Sequence, residues 1–193
     1  MKLFAKYILV LSSFTFTVFV ASCQDLHKLK EFPIGNAQDN TLPLTDDITI
    51  TREFDSDFIY YIMKIYQKGE LQLIDSIDIT PYGTKFRLFE LMDKEEMLLV
   101  SEIEYEHFSY YPIYLLKPRD FKKIGNLNIV LDCESCDAQN YPIDDIVIRG
   151  NQQTIEFSFR KKLLLWDGNE LKPVDKDSFR FVYQIGGQLK TID

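Results

Sequence analysis

Two cysteines form the sharpest chemical motif in the interior of the chain, Cys133 and Cys136 with two residues between them. A redox pair with this spacing lies at a helix N-terminus, whereas no helical pattern follows here and acidic neighbours disfavour the thiolate. A zinc site needs about four nitrogen or sulfur ligands, and only His27 and His107 remain to complete one. We favour a local disulfide, which is the ordinary state of such a pair in chains that reach an oxidising compartment.

A second candidate group consists of carboxylates on a single predicted strand, where Glu102, Glu104 and Glu106 alternate with other residues. Alternation places them on one face of a sheet. Calcium loops require a fixed order of oxygen donors and a turn glycine, which are absent, and a glycosidase pair cannot be assigned from sequence. We interpret this face as solvated, and we expect no metal ion.

Nucleophile motifs are also absent: the chain has no Gly-x-Ser-x-Gly, no His-Glu-x-x-His and no phosphate-binding glycine loop. We interpret His107 as an ordinary strand residue. The sequence therefore predicts no catalytic residue and no cofactor.

Aromatic residues are abundant, with 15 Phe, 11 Tyr and 1 Trp. An exposed tyrosine cluster could bind carbohydrate or peptide, but alternation in strands favours the core and cross-strand pairs. The residues concerned are Tyr60, Tyr61, Tyr105, Tyr110, Tyr111, Tyr114 and Trp166.

The composition excludes several classes of protein. The 193 residues are 46% hydrophobic, which is too high for a disordered chain. They include 22 basic and 30 acidic residues, for a net charge of −8. This acid excess argues against binding to nucleic acid, which needs clustered Lys and Arg.

The first 22 residues have the layout of a signal peptide. Lys2 and Lys6 form a positive start, and residues 7–21 form an uncharged, mostly apolar run. This run is shorter than the ~20 apolar residues of a spanning helix and is interrupted by Ser and Thr. We therefore expect residues 1–22 to be removed on export.

The run ends in Val20-Ala21-Ser22-Cys23, which resembles the lipobox of bacterial lipoproteins. The resemblance implies that Cys23 receives a diacylglyceryl group, that a peptidase cuts before it, and that the new N-terminus is acylated. Three acyl chains at about 0.8 kcal/mol per buried CH₂ would anchor the protein to a membrane. Gln24 stands where an Asp would retain such a protein at the inner membrane, so we expect the cell envelope, at the outer membrane.

The segment after Cys23 holds several turn formers and no sustained periodicity. We predict a flexible tether over residues 23–47 and a single β-rich domain over residues 48–193. A short helix around residues 26–31 is the alternative for part of the tether.

From residue 48 onward the alternation of apolar and polar residues predicts strands joined by hairpins. Lys68-Gly69-Glu70, residues 93–96 and residues 167–169 are hairpin turns, and Pro112 should place its strand at an edge or at a strand start. We expect a mainly β fold of antiparallel hairpins, as a sandwich, an open barrel or propeller-like sheets. The predicted strands are 48–51, 58–67, 71–79, 86–92, 97–108, 111–116, 127–132, 143–149, 154–160, 163–166, 179–185 and 189–192.

The last third of the chain loosely resembles a group of secreted bacterial β-rich proteins without assigned activity. The likeness rests on a strand that ends in the two-cysteine loop (126–136), on residues 143–151 and on the aromatic strand 178–184. The glycines that usually follow the second cysteine are missing. The resemblance implies an envelope protein and no specific chemistry.

We therefore expect a non-enzymatic, lipid-anchored envelope protein whose β domain is a binding or structural module. Its partners would be the membrane, through the anchor, and an envelope protein or glycan. The first alternative is an inhibitor or immunity protein that blocks a basic toxin or hydrolase in the envelope. The second alternative is a hydrolase that uses scattered carboxylates.

Overall fold

The computed structural model describes residues 26–34, 40–55, 60–77, 83–92, 95–104, 109–131, 142–166 and 169–192. Over these residues the chain forms strands and one 3-10 helix (Pro142–Asp145), and every strand pairing is antiparallel. No helix in this part of the chain is long and apolar enough to cross a membrane. The predicted mainly β, antiparallel fold is confirmed, in its sandwich-like form.

The strands of the first half of the chain follow one another closely. They are β1 (His27–Lys28), β2 (Lys30–Phe32), β3 (Thr41–Pro43), β4 (Ile48–Asp55), β5 (Tyr60–Gln67), β6 (Glu70–Ile77), β7 (Gly83–Glu90), β8 (Met97–Glu104) and β9 (Ser109–Lys117). The remaining strands are β10 (Asp120–Leu127), β11 (Ile129–Leu131), β12 (Ile146–Gly150), β13 (Thr154–Phe159), β14 (Leu163–Trp166), β15 (Leu171–Val174), β16 (Arg180–Gln184) and β17 (Leu189–Ile192).

These strands form four sheets. The central sheet has the order β10-β9-β8-β7-β2, and the first outer sheet has the order β3-β4-β5-β6. The second outer sheet has the order β1-β12-β13-β16-β17, and a small sheet has the order β11-β14-β15. Most neighbours in a sheet are also neighbours in sequence, as the hairpin pattern predicts.

The central sheet is buried on both faces. In β8, Leu98 and Val100 join a core with residues of the second outer sheet, such as Phe157. Leu99 and Ile103, which point the other way, join a core with the first outer sheet. The three sheets therefore stack as layers, and each fully buried Leu or Ile contributes about 1.5–3 kcal/mol.

The segment predicted as a flexible tether contributes strands to three sheets. β1 pairs with β12, β2 with β7 and β3 with β4. Leu29, Leu42 and Leu44 are buried in the two cores. Strands of two or three residues are too short to show a period-two pattern, so the sequence alone did not reveal them.

The turn Lys68-Gly69 confirms the first predicted hairpin. Gln67 pairs with Glu70, so the loop has two residues. Lys68 has φ of 52° and Gly69 has φ of 82°. Two successive positive φ values are the requirement of a type I′ turn, whose twist matches that of the strands.

The position of Pro112 differs from its prediction. Pro112 lies inside β9, between β8 and β10, rather than at an edge. Direct pairing of β8 with β9 lapses between Val100–Ile113 and Ile103–Tyr110. Proline has no backbone N–H to donate, so the sheet tolerates it where the ladder is interrupted.

Besides β1, β2 and β3, two further strands were not predicted, β10 and β15. β10 is the edge strand of the central sheet, and its half-buried residues mask the alternation. β15 is the edge strand of the small sheet and contains Pro173. Proline within a strand weakens the pattern and is tolerated at an edge.

Candidate functional site

Several residues singled out from the sequence lie outside the described part of the chain. These are Cys23, Cys133, Cys136, Glu106 and His107. His27 is described and lies exposed on β1, opposite Gly150. Among the described residues no group of three or more His, Cys, Asp or Glu side chains could hold a metal ion.

The interpretation of the β8 carboxylates as a solvated face is wrong for Glu102. Glu104 is exposed, but Glu102 is only 1% exposed. It shares a sheet face with Leu98 and Val100, and the second outer sheet covers that face. A strand buried on both faces gives a carboxylate no solvated side, so the alternation could not indicate exposure.

Glu102 connects the central sheet to the 3-10 helix. Its Oε1 accepts a hydrogen bond of 3.2 Å from the Tyr111 hydroxyl, and its Oε2 accepts one of 3.2 Å from the backbone N–H of Ile143. Tyr111 precedes Pro112, so these bonds occur where the β8–β9 ladder lapses. Glu102 thus holds two elements together from inside the protein.

Arg87, on the same face of the central sheet as Glu102, also holds this helix. Its Nε and Nη2 donate to the two oxygens of Glu31 at 2.7 and 2.8 Å, which is a bidentate pair. Its Nη1 donates to the backbone carbonyls of Ile143 and Ile146, each at 2.8 Å. Arg87 therefore joins β2 to the end of the helix.

The acidic pair Asp144-Asp145, which falls within the predicted strand 143–149, lies instead in the 3-10 helix. The Asp144 carboxylate accepts from Lys85 at 2.5 Å, and Asp145 forms an ion pair of 2.9 Å with Lys161. These carboxylates thus have structural partners, Lys85 on β7 and Lys161 just after β13.

The main concentration of buried polar groups lies between the first outer sheet and the central sheet. We call it the inter-sheet polar cluster. Its members lie on the same sheet faces as the apolar core residues beside them, because side chains alternate along a strand. Arg52 shares a face with Ile50, and Asp75 shares a face with its pairing partner Met63. Its members are Arg52, Tyr61, Asp75, Thr84, Ser101, Tyr110, Tyr114 and Lys123.

One end of this cluster is centred on Asp75. Oδ2 of Asp75 accepts a hydrogen bond of 2.6 Å from the Tyr114 hydroxyl and one of 2.7 Å from Lys123 Nζ. Lys123 Nζ also lies 5.3 Å from the centroid of the Tyr110 ring, within cation–π range. Burial, reinforced by the Asp75 charge, raises the pKa of Tyr114 far above its usual value, so this phenol remains a donor.

The other end is centred on Arg52. Nη1 of Arg52 donates to Thr84 Oγ1 at 2.7 Å, which bridges the first outer sheet to the central sheet. Tyr61 is 5% exposed, and burial raises its pKa to about 12 against the opposing influence of the Thr84 hydroxyl and Arg52. Ser101, diagonal to Thr84 on the central sheet, is fully buried.

Three polar atoms at the Arg52 end lack partners. Nε of Arg52, the Tyr61 hydroxyl and Oγ of Ser101 are buried and make no hydrogen bond to the described residues. A buried polar group without a partner costs about 1–3 kcal/mol. A polar ligand group that reached these atoms would therefore form hydrogen bonds that the described residues do not supply.

Two clefts open at other ends of the layers. One, of about 280 Å³, lies between the β3–β4 turn and the β9–β10 hairpin and combines Asp46, Asp47 and Glu95 with apolar Met97 and Phe121. The other, of about 360 Å³, is lined by Leu91, Met92, Glu96, Asn151, Gln152 and Ile185.

The tyrosine set belongs largely to the core. Tyr61, Tyr111 and Tyr114 are buried, as the core alternative predicted, and Tyr110 is half-buried. The side chains of Tyr60 and Trp166, and all of Tyr105, lie outside the described part.

Sequence reasoning did not identify Arg52 or Asp75. One signal was available, because Arg52 continues the apolar phase of Ile48 and Ile50, and Asp75 stands in the phase of Leu73. A charged residue in an apolar phase indicates a buried polar contact. Comparison of the chain with known protein families, with curated proteins and with solved structures finds no match.

Proposed function

We propose that this chain is a lipid-anchored protein of the bacterial cell envelope whose stacked sheets serve as a non-catalytic binding or structural module. The observation that carries the proposal is the lipobox-like sequence of residues 20–23, which directly follows a positive start and an apolar run. Acylation at Cys23 would hold the sheets at the membrane surface.

The arrangement of the buried carboxylates supports a non-catalytic role. Glu102 accepts from Tyr111 and a backbone N–H, and Asp75 accepts from Tyr114 and Lys123. Each of these bonds joins two strands or two layers. Such contacts stabilise a rigid module, which suits recognition of a partner.

The anchor is tested by expressing the full chain in bacteria with radiolabelled palmitate and separating membranes from soluble material. We expect the wild type to take up label and to fractionate with membranes, and Cys23→Ala to do neither. Cys133→Ala is the matched control, since it removes a thiol and retains the lipobox. Membrane-bound Cys23→Ala, or a wild type without label, would refute the anchor.

A second candidate function is that of an envelope inhibitor or immunity protein against a basic toxin or hydrolase. The acidic cleft favours it, because Asp46, Asp47 and Glu95 line it together with apolar Met97 and Phe121. A Lys or Arg side chain has the same combination of charged head and apolar stem. The net charge of −8 would also speed association with a basic enzyme.

This candidate is tested by pull-down from envelope extracts, followed by an activity assay on any enzyme recovered. We expect one stoichiometric basic enzyme, inhibited by the wild type and released by the double charge reversal Asp46→Lys/Asp47→Lys. Glu53→Lys, on an exposed strand position away from the cleft, is the control. Recovery of glycan or of many proteins, without inhibition, would favour the first function.

A further inference from the structure

We propose that the Arg52 end of the inter-sheet polar cluster is a binding site for an oxyanion, namely the carboxylate or phosphate group of a small ligand. This inference deepens the binding role in the proposed function and rests on it. The palmitate experiment on Cys23 measures membrane attachment and not anion binding. Failure of the lipid anchor and failure of the oxyanion site can therefore be distinguished.

The first argument is the geometry of the guanidinium. Among the described residues Arg52 makes a single hydrogen bond, from Nη1 to Thr84. Nε is buried without a partner there. With Nη1 occupied, Nε and Nη2 remain as a parallel pair of donors, which is the arrangement that grips two oxygens of a carboxylate or phosphate.

The second argument is charge. Glu53 pairs with Lys64 and Asp75 pairs with Lys123, so these carboxylates already have counter-ions. No ion pair joins Arg52 to another described residue. A half-buried cation is partly desolvated, and an entering anion would restore the lost interaction.

The third argument is the set of hydroxyls beside the guanidinium. Tyr61 and Ser101 each bury a hydroxyl without a partner. Because burial raises the pKa of Tyr61 to about 12, its phenol carries a proton at neutral pH and can donate to an anion. One guanidinium edge and two hydroxyls form a donor-rich site, and the carboxylate on the same face as Tyr61, Asp75, is already bound to Tyr114 and Lys123.

The fourth argument is access. Arg52 and Thr84 are half-buried rather than fully buried, whereas Tyr61 and Ser101 lie deeper between the sheets. Part of the Arg52 side chain is therefore exposed to solvent, whereas its Nε and the two hydroxyls are covered. A compact ligand group with several acceptor oxygens suits this arrangement. Such a group would contact the Arg52 guanidinium first and the hydroxyls of Tyr61 and Ser101 after it.

The test follows the Nε–Hε resonances of the six arginines in the ¹⁵N-labelled full chain purified in detergent. Sodium phosphate and sodium acetate are titrated at pH 7, with sodium chloride keeping the ionic strength constant. The Arg52 signal is assigned by its loss in Arg52→Lys. We expect a saturable shift of the Arg52 signal and none of the Arg87 signal, because Arg87 is already bound to Glu31.

Tyr61→Phe tests the contribution of the hydroxyl and should weaken binding about tenfold or more, the loss expected for one hydrogen bond to a charged group. Ser101→Ala is the second variant if Tyr61→Phe does not fold, with weaker binding again expected. Stronger binding of phosphate than of acetate would assign a phosphate ligand, and the reverse a carboxylate ligand. Absence of a shift at 20 mM of either salt, equal shifts of all six signals, or unchanged affinity in the folded variants would overturn the proposal.

Discussion

The Asp75 carboxylate accepts a hydrogen bond of 2.6 Å from the Tyr114 hydroxyl across the space between the first outer sheet and the central sheet. Asp75 lies on β6, the edge strand of its sheet, and points inward. An inward charge on an edge strand disfavours pairing with another chain, and here Lys123 compensates it. The same contact therefore docks two layers and protects an edge.

Asp75→Asn should lower the free energy of unfolding by about 1–3 kcal/mol, because Lys123 loses its counter-ion and the Tyr114 bond loses its charge. Urea denaturation followed by tyrosine fluorescence measures the change. Glu53→Gln is the matched control, since it removes an exposed ion pair with Lys64 and should cost under about 1 kcal/mol. If both variants lost the same free energy of unfolding, the contact of Asp75 with Tyr114 and Lys123 would stabilise the protein no more than an exposed ion pair does.

Stability should fall steeply at alkaline pH because of Tyr61. Its pKa is about 12 in the folded protein and near 10.0 when unperturbed. Below pH 10 both states keep the proton, so the contribution is fully present there. Between pH 10 and 12 the unfolded chain releases the proton first, which lowers stability by about 1.4 kcal/mol per pH unit.

Tyr61→Phe should flatten this alkaline slope, as measured by urea denaturation at intervals from pH 8 to 12. Lysine deprotonation affects wild type and variant alike, so the difference between the two curves isolates Tyr61. Parallel curves would mean that the phenol titrates equally in the folded and unfolded states.

Much of the fold follows from local pattern, whereas the contacts between layers do not. The hairpin at Lys68-Gly69 and the strands β14 and β17 match their predictions because turn chemistry and alternation act over a few residues. Which sheet covers which face depends on how the sheets stack, and alternation along one strand carries no information about stacking. The alternation therefore predicts a solvent-facing Glu102 and gives no indication that Asp75 pairs with Tyr114.

Glu102→Ala should destabilise the protein by about 2–4 kcal/mol, because the Tyr111 hydroxyl and the Ile143 N–H each lose a buried acceptor. The backbone amide of Ile143 should also exchange faster with deuterium than in the wild type. Glu104→Ala, on the same strand but exposed, should change neither quantity by much. Unaltered exchange at Ile143 in Glu102→Ala would contradict the proposed link to the 3-10 helix.

Gly69→Ala should cost about 1–2 kcal/mol for a purely conformational reason. No atom lies within 4 Å of a Cβ added at Gly69, so the substitution creates no clash. Its φ of 82° is nevertheless unfavourable for an L-residue. Lys68→Asn should instead stabilise the hairpin by a few tenths of a kcal/mol, since Asn tolerates positive φ better. Thermal denaturation of the two variants should therefore shift in opposite directions.

Leu29→Ala and Leu42→Ala separate a folded N-terminal segment from a flexible tether. Both leucines are buried, Leu29 in the core with the second outer sheet and Leu42 in the core with the first. Removing a buried leucine side chain costs about 2–5 kcal/mol through lost burial and the cavity left behind. We expect losses of that size in chemical denaturation, with Lys28→Ala, which is exposed, close to the wild type. A tether would tolerate all three substitutions equally, so wild-type stability in both leucine variants would restore that interpretation and place the start of the folded domain after these residues.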